Sequence, residues 1–205
     1  MPLRLTIEFE TPLHHGSGFG LAGIVDRAVL RDERGMPYLA GSAVKGKFRY
    51  AAARLLLGTG REVCGPWSGR DLPWCVPPES CLLCEIFGSP RRAGKALFED
   101  AYPAMPEQAI LRSHHDSSVS KVFGGGSDVR ASTAIDRYYR RARPEHLFST
   151  ETISPMVRFE ATIRGNLSEE EKQVLVSSAT LIAHFGADSS RGLGICRCQV
   201  SEVAV

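Results

Sequence analysis

Four of the six cysteines fall in one short stretch, Cys64, Cys75, Cys81 and Cys84, with the spacing C-x10-C-x5-C-x2-C. Thiolates clustered this way suit a closed, tetrahedral zinc site of the structural kind. The surrounding segment is dominated by Gly, Pro and Trp and carries no periodicity from which a long element could form. A segment of that length inside a compact domain needs a staple, and a metal is the expected one. Cys196 and Cys198 stand apart from this group. They alternate with polar residues ahead of Val200, which puts all three on the core face of a strand.

Three further segments have the chemistry of anion binding. Residues 41–49, GSAVKGKFR, read as a helix N-terminus that carries Lys45, Lys47 and Arg49. Free backbone N–H groups and the helix dipole favour a phosphate there, and the cations add to it. The same residues also describe a capped core helix whose outer side is basic. Residues 189–194, SSRGLG, offer Arg191 with Gly192 and Gly194, and glycine permits close backbone approach to a ligand. A plain turn before a strand explains them too. Residues 127–143 hold five arginines (130, 137, 140, 141 and 143) against Asp128 and Asp136. Tyr138 and Tyr139 interleave with these arginines, a composition that suits a polyanion with stacking groups. The bland alternative is a solvated basic surface.

Single residues are less specific. Asp26 lies between Ile24, Val25, Ala28 and Val29 at a loop–strand junction, where an Asp ordinarily serves as a local hydrogen-bond acceptor. Asp32 sits in the turn Asp32-Glu33-Arg34-Gly35 and shapes it. His14, His15, His114 and His115 are candidate contacts to RNA or alternative metal ligands.

The elements that must position these residues follow from hydrophobic period. Residues 3–10 alternate with Leu3, Leu5, Ile7 and Phe9 on one face, which predicts a half-buried strand. Residues 12–23 read as a loop, and Ile24–Leu30 and Met36–Leu39 as extended. Ser42 is the expected N-cap of an amphipathic helix over 43–57. Residues 95–102 and 108–113 read as short strands, 114–131 as a mobile loop, and 132–155 as an inserted hairpin. Val157 to Ile163 predicts another strand. Ser168 and Glu171 form a capping box for a helix whose stripe of Leu175, Ala179, Ile182 and Phe185 ends at Gly186. Ile195–Val203 closes the chain as a strand. The order is the βαββαβ of a ferredoxin-like, RRM-like α+β palm. A single domain over 1–205 is expected, interrupted by insertions at 58–94 and 114–155.

Composition narrows the function classes. The chain has 205 residues, 43% hydrophobic and 23% charged, with a net charge of +2. That excludes general disorder. No run approaches the roughly 18 apolar residues of a membrane span. Arg4 interrupts the first apolar stretch, which argues against a signal peptide and for a cytoplasmic protein. Near-neutral charge with a local basic segment still permits a polyanionic partner.

Taken together, residues 23–49 (GIVDRAVLRDERGMPYLAGSAVKGKFR), 132–160 (STAIDRYYRRARPEHLFSTETISPMVRFE) and 185–198 (FGADSSRGLGICRC) resemble the RAMP superfamily of CRISPR-associated proteins. More narrowly, they are similar to the repeated backbone subunit of type III CRISPR effector complexes. The likeness spans nearly the whole chain, with its segments in the family's order. It implies a subunit that wraps guide RNA and joins copies of itself or related RAMP subunits head to tail. Lys45, Lys47, Arg49, Arg191, Gly192 and Gly194 match the positions that hold guide RNA. The hairpin around Ile135 and Arg137 matches a thumb inserted between guide and target RNA. Asp26 matches the residue that cleaves target RNA, with a divalent cation such as magnesium or as a base for the 2′-OH. Asp32 is the fallback. A Cys-x-x-Cys before Ile86-Phe87-Gly88 is also common in the family. Three other readings stay open. One is a catalytically inert guide-binding subunit. Another is a precursor CRISPR-RNA processing endoribonuclease using His14, His15 and the Gly16–Gly23 loop. The third is a general RNA-binding module.

Overall fold

The computed structural model describes residues 1–21, 24–65, 74, 75, 80–113, 126–155 and 157–203. In chain order the elements are β1 (Leu3–Phe9), α1 (Gly41–Gly58), α2 (Leu82–Phe87), β2 (Leu97–Phe98), β3 (Tyr102–Pro103) and α3 (Met105–Ser113). They continue with β4 (Ser127–Asp136), β5 (Arg141–Ile153), β6 (Arg158–Arg164), α4 (Glu169–Ala179), a 3-10 turn at Ser189–Arg191, and β7 (Cys196–Glu202).

The alternation in β1 does what period 2 requires: Leu3, Leu5, Ile7 and Phe9 are buried while Arg4 and Glu8 face out. The strand lies at the centre of a sheet ordered β2-β6-β1-β7, with β3 also on β6, and every pair is antiparallel. That order is the split βαβ arrangement of a ferredoxin-like fold, so the sequence pattern and the topology agree. Register brings Ile7 opposite Phe159 and Cys198, and Phe9 opposite Cys196, so both late cysteines join the core as expected. Helices α1 and α4 pack on this face through Val44, Phe48, Ala52, Leu56 and Leu175, all buried. The ring of Phe48 meets Phe98 at 5.4 Å, and Phe98 meets Phe87 of α2 at 5.9 Å. The cysteine-bearing insertion is thereby seated on the palm.

Several element boundaries differ from expectation. Ser42 is not the cap of α1. The helix starts at Gly41, and Asp100, from the corner between β2 and β3, accepts the Gly41 N–H at 2.7 Å. That corner also splits the expected 95–102 strand in two. Residues 108–113 belong to α3 rather than to a strand, because Pro106 and Glu107 suit a first helical turn and β3 already occupies that edge of β6. Helix α4 has its expected capping box, with Ser168 Oγ accepting the Glu171 N–H and Glu171 Oε2 accepting the Ser168 N–H. It ends at Ala179 rather than Gly186. Phe185 N–H donates to Gly194 O, and Cys196 N–H to Ala183 O, so residues 183–185 pair with the approach to β7 instead of continuing the helix. Ser127–Ala131 are strand, not mobile loop, since they pair with Ser149–Ile153. Residues 114–125 of that expected loop, with His114 and His115, lie outside the described residues. Among the described residues no helix is long and apolar enough to cross a membrane.

Candidate functional site

The hairpin β4–β5 is a separate two-stranded sheet, yet its foot is built into the palm. Leu13 and Ile153 exchange both backbone hydrogen bonds, at 3.0 and 2.8 Å. Arg27 N–H donates to Ser149 O, and Glu151 N–H donates to Arg27 O. The first loop of the chain therefore runs alongside β5. Glu151, only 1% exposed, carries this junction: Oε2 accepts the Val29 N–H at 2.8 Å and Oε1 pairs with Arg31 at 2.7 Å. Arg31 also donates to Ser127 Oγ on β4 and to Gly35 O. A buried carboxylate is tolerable here because an arginine and a backbone N–H both meet it.

Asp26 stands at this foot, exposed to solvent. Its Oδ2 accepts two hydrogen bonds from Ser149, from the backbone N–H at 2.6 Å and from the hydroxyl at 2.9 Å. The Asp26 N–H in turn donates to Ser149 Oγ at 3.1 Å. The Ser149 backbone N–H, then its hydroxyl, hold the Asp26 carboxyl below the usual carboxylate range. The group is a fixed anion, with Oδ1 making no hydrogen bond to another side chain among the described residues. The neighbouring Arg27 pairs with Asp188 Oδ2 at 2.7 Å, and Arg191 lies 3.4 Å from Asp188 Oδ1. Asp188 takes a left-handed backbone conformation at φ 58° and gathers the Gly-rich loop against Arg27. Asp32 is spent on its turn, accepting the N–H groups of Arg34 and Met36.

The Gly-rich loop spends three amides on its own carbonyls and one on the palm. Arg191 N–H donates to Asp188 O, Gly192 N–H to Ser189 O, Leu193 N–H to Asp188 O, and Gly194 N–H to Pro12 O. A Cβ on Gly194 would stand 1.9 Å from Phe185 O, so glycine there serves close backbone packing. Gly192 is needed for its φ of 82° and meets open space. What this loop offers outward is the exposed Arg191 side chain. Arg191 lines a groove of about 740 Å³ with Ser132, Thr133, Ile135, Arg137 and Phe148 of the hairpin. Three of the sequence-derived contacts, Ile135, Arg137 and Arg191, thus share one groove.

At the hairpin tip, Asp136 Oδ1 accepts the N–H groups of Tyr138 and Tyr139, which closes the turn. Ile135, Tyr138 and Tyr139 remain 65%, 86% and 64% exposed, so the tip presents apolar and aromatic surface that the chain itself does not cover. Arg141 lies 5.0 Å over the Tyr139 ring.

Lys45 and Arg49 line a different cleft, on α1 beside the cysteine-bearing insertion, and Lys47 lines neither. The larger cleft of about 930 Å³ on the open sheet face is of another kind, because Arg164 there pairs with Glu99 at 2.6 Å and acids match the cations. His14 is buried and donates from Nδ1 to Glu151 O at 2.7 Å, and His15 Nε2 accepts the Ala40 N–H. Burial lowers the pKa of both rings, which are committed to the fold as neutral imidazoles.

The sulfurs of Cys64, Cys75, Cys81 and Cys84 all lie within 4.8 Å of one another, and none of the six cysteines is in a disulfide. Cys64 and Cys84 sulfurs are 3.1 Å apart, and Cys81 and Cys64 sulfurs 3.7 Å. A tetrahedral site with metal–sulfur bonds of about 2.3 Å has edges of about 3.8 Å, so the four thiols fit one ion. Burial pushes the Cys84 thiol far up, a penalty that a bound cation relieves.

Sequence reasoning missed Ser149, Glu151, Arg27, Arg31 and Asp188. Each acts through a partner more than 90 residues away in the chain, and nothing in the local pattern names that partner.

The RAMP superfamily model matches residues 6–197. No curated protein matches significantly. Among solved structures, the chain is similar to one from a cryo-EM structure of the type III-B Cmr-beta bound to cognate target RNA. The identity there is 16%, with 98% of this chain and 97% of that one covered, at a TM-score of 0.62. It is also similar to a chain of the type III-B Cmr-beta in its apo state, at 13% identity, 100% and 99% coverage and a TM-score of 0.65. The palm order, the built-in hairpin and a family match over nearly the whole length lead to one conclusion: the chain belongs to the RAMP superfamily.

Proposed function

We propose that this chain is a backbone subunit of a type III CRISPR ribonucleoprotein that holds guide RNA and cleaves complementary target RNA at Asp26. The observation that carries the reading is the position of the Asp26 carboxylate. It is fixed by Ser149 at the foot of a hairpin whose groove gathers Ile135, Arg137 and Arg191. A hairpin wedged into a guide–target duplex unstacks a nucleotide, and the proposal requires the phosphate beside it to reach Asp26 at the hairpin's foot. The cleavage is an in-line attack of a ribose 2′-OH on the adjacent phosphorus. The O2′–P bond forms as the P–O5′ bond breaks, the 2′ proton leaves to base or solvent, and the O5′ takes up a proton. The products are a 2′,3′-cyclic phosphate and a 5′-OH. Asp26 Oδ1 is bonded to no other side chain among the described residues. That suits a divalent cation such as magnesium, which takes one or two carboxylates and completes its shell with water and phosphate oxygens. The four-cysteine group is read as a structural zinc site, outside the chemistry. Guide RNA, target RNA and further RAMP subunits joined head to tail are the partners, in the cytoplasm.

The test is a reconstituted complex given two substrates. Guide-paired target RNA should be cut at regular intervals, leaving cyclic phosphate ends. Precursor repeat RNA offered alone should stay intact; its cleavage without target would move the chain to the processing class. A second reading, an inert guide-binding subunit, is favoured by one observation: both Ser149 donors converge on Asp26 Oδ2, as in a structural tether.

A further inference from the structure

The stretch of backbone that carries Asp26 is held along both edges. On one edge lies β5. Asp26 N–H donates to Ser149 Oγ at 3.1 Å, Arg27 N–H donates to Ser149 O at 3.2 Å, and Glu151 N–H returns to Arg27 O at 2.9 Å. On the other edge the first loop folds back as a ribbon. Leu21 and Val25 exchange both backbone hydrogen bonds, at 2.8 and 3.0 Å, and Ala28 N–H donates to Phe19 O at 2.9 Å. Gly20 sits between these bonds, against Asp26. A Cβ on Gly20 would stand 2.6 Å from Asp26 O, 2.8 Å from Val25 O and 3.0 Å from the Asp26 carbonyl carbon. All three are backbone atoms, which cannot swing aside as the end of a side chain can. The neighbouring glycines differ. A Cβ on Gly16 would meet the His14 ring, and one on Gly18 would meet open space.

We infer that Gly20 is a positioning residue for the Asp26 carboxylate: its bare backbone sets how closely the ribbon approaches, and so where that group is presented. The inference rests on the cleavage reading above and adds to it the ribbon that backs Asp26. A methyl group at position 20 would have to part the two backbones by about half an ångström to reach van der Waals separation. The ribbon is bonded on both sides of Gly20, so it cannot widen at that point alone. The Asp26 backbone is then displaced against β5, and the 2.6 Å bond from the Ser149 N–H to Asp26 Oδ2 is spoiled. Asp26 is exposed, so no surrounding packing returns its carboxylate to place. In-line attack on a phosphate tolerates little such error, since a misplacement of about 1 Å can cost about 100-fold in rate.

The test compares Gly20→Ala with Gly58→Ala, where a Cβ meets open space, in two assays of the full chain. In the complex reconstituted with guide RNA, Gly20→Ala should lower kcat for target cleavage at least about tenfold and leave KM unchanged. Added to Asp26→Asn it should cost nothing further, because it acts only through that carboxylate. In the free protein, hydrogen exchange at the Ser149 amide should rise about tenfold, as for one weakened hydrogen bond to a charged group, while β1, β6 and β7 keep their protection. Gly58→Ala should match the wild type in both assays. A wild-type kcat in Gly20→Ala overturns the inference, and so does a raised KM at unchanged kcat. Exchange raised throughout the central strands, or failure of Gly20→Ala to fold, makes Gly20 a residue of the fold and overturns it as well. If the wild-type complex leaves target RNA intact, the cleavage reading falls instead, and Ser149 exchange alone decides whether Gly20 holds Asp26 in place.

Discussion

At the scale of residues, the proposed cleavage turns on how Asp26 is held. Its carboxyl sits below the usual range because Ser149 donates twice to the ionised form. The folded pKa is depressed, so the interaction stabilises above the unfolded pKa and is lost as pH falls through the folded one. Target cleavage should therefore keep its rate down to a pH below the ordinary carboxylate range. Ser149→Ala removes the hydroxyl donor, and the acid limb of its pH–rate profile should move upward. Asp26→Asn keeps the shape and removes the charge. Cleavage should then drop by at least about 100-fold, the low end for loss of a general base, while guide and target binding survive. Unchanged cleavage in an intact complex would leave the inert-subunit reading standing. Glu151 is the structural counterpart. Arg31 faces it at 17% exposure, and breaking a pair this buried by Glu151→Ala should cost about 3–5 kcal/mol in urea unfolding.

At the scale of elements, the hairpin divides into two parts with different duties. The foot, Ser149 to Ile153, is bonded to Leu13, Arg27 and Val29 and belongs with the palm. The outer part, beyond Thr133 and Leu147, touches the palm little and exposes Leu147 at 73% along with the tip aromatics. Replacing residues 133–147 with a short turn should leave thermal unfolding of the palm nearly unchanged. Regular cleavage should fall about 100-fold, since an unsplayed backbone is misplaced by an ångström or more from in-line geometry. A deletion that reached Ser149 or Glu151 would damage the palm as well, so the cut must stop short of them.

At the scale of the whole molecule, two cation-rich clefts stand on a chain of nearly neutral net charge. Purified protein prepared under reductant should carry about one zinc per chain, as a closed four-cysteine site does. Cys81→Ser should strip it. Hydrogen exchange should then rise across residues 61–96 while β1, β6 and β7 stay protected, because α2 packs on Phe98 of the edge strand β2 while the central strands are held by their own ladders. Loss of protection in the central strands would mean that the metal supports the entire fold. The Lys95 ammonium, shared between Glu85 and the buried Glu171 of α4, marks the boundary at which the loosening should stop.

Read alone, the sequence determined whatever depends on period, composition or short spacing. The alternation of Leu3, Leu5, Ile7 and Phe9, the capping box at Ser168 and Glu171, and the four-cysteine spacing each have causes within a few residues. The βαββαβ order followed from them, and the RAMP likeness from motifs in series. Tertiary structure alone decided the partners brought from far along the chain. Asp100 rather than Ser42 caps α1, because a carboxylate from the β2–β3 corner reaches the Gly41 N–H first. Helix α4 stops at Ala179, because the backbone beyond it finds better partners near β7. Ser149 pins Asp26, Asp188 links Arg27 to Arg191, and Trp74 meets Arg49 across the insertion. These contacts depend on loop closure, and no local pattern encodes which distant residue will arrive.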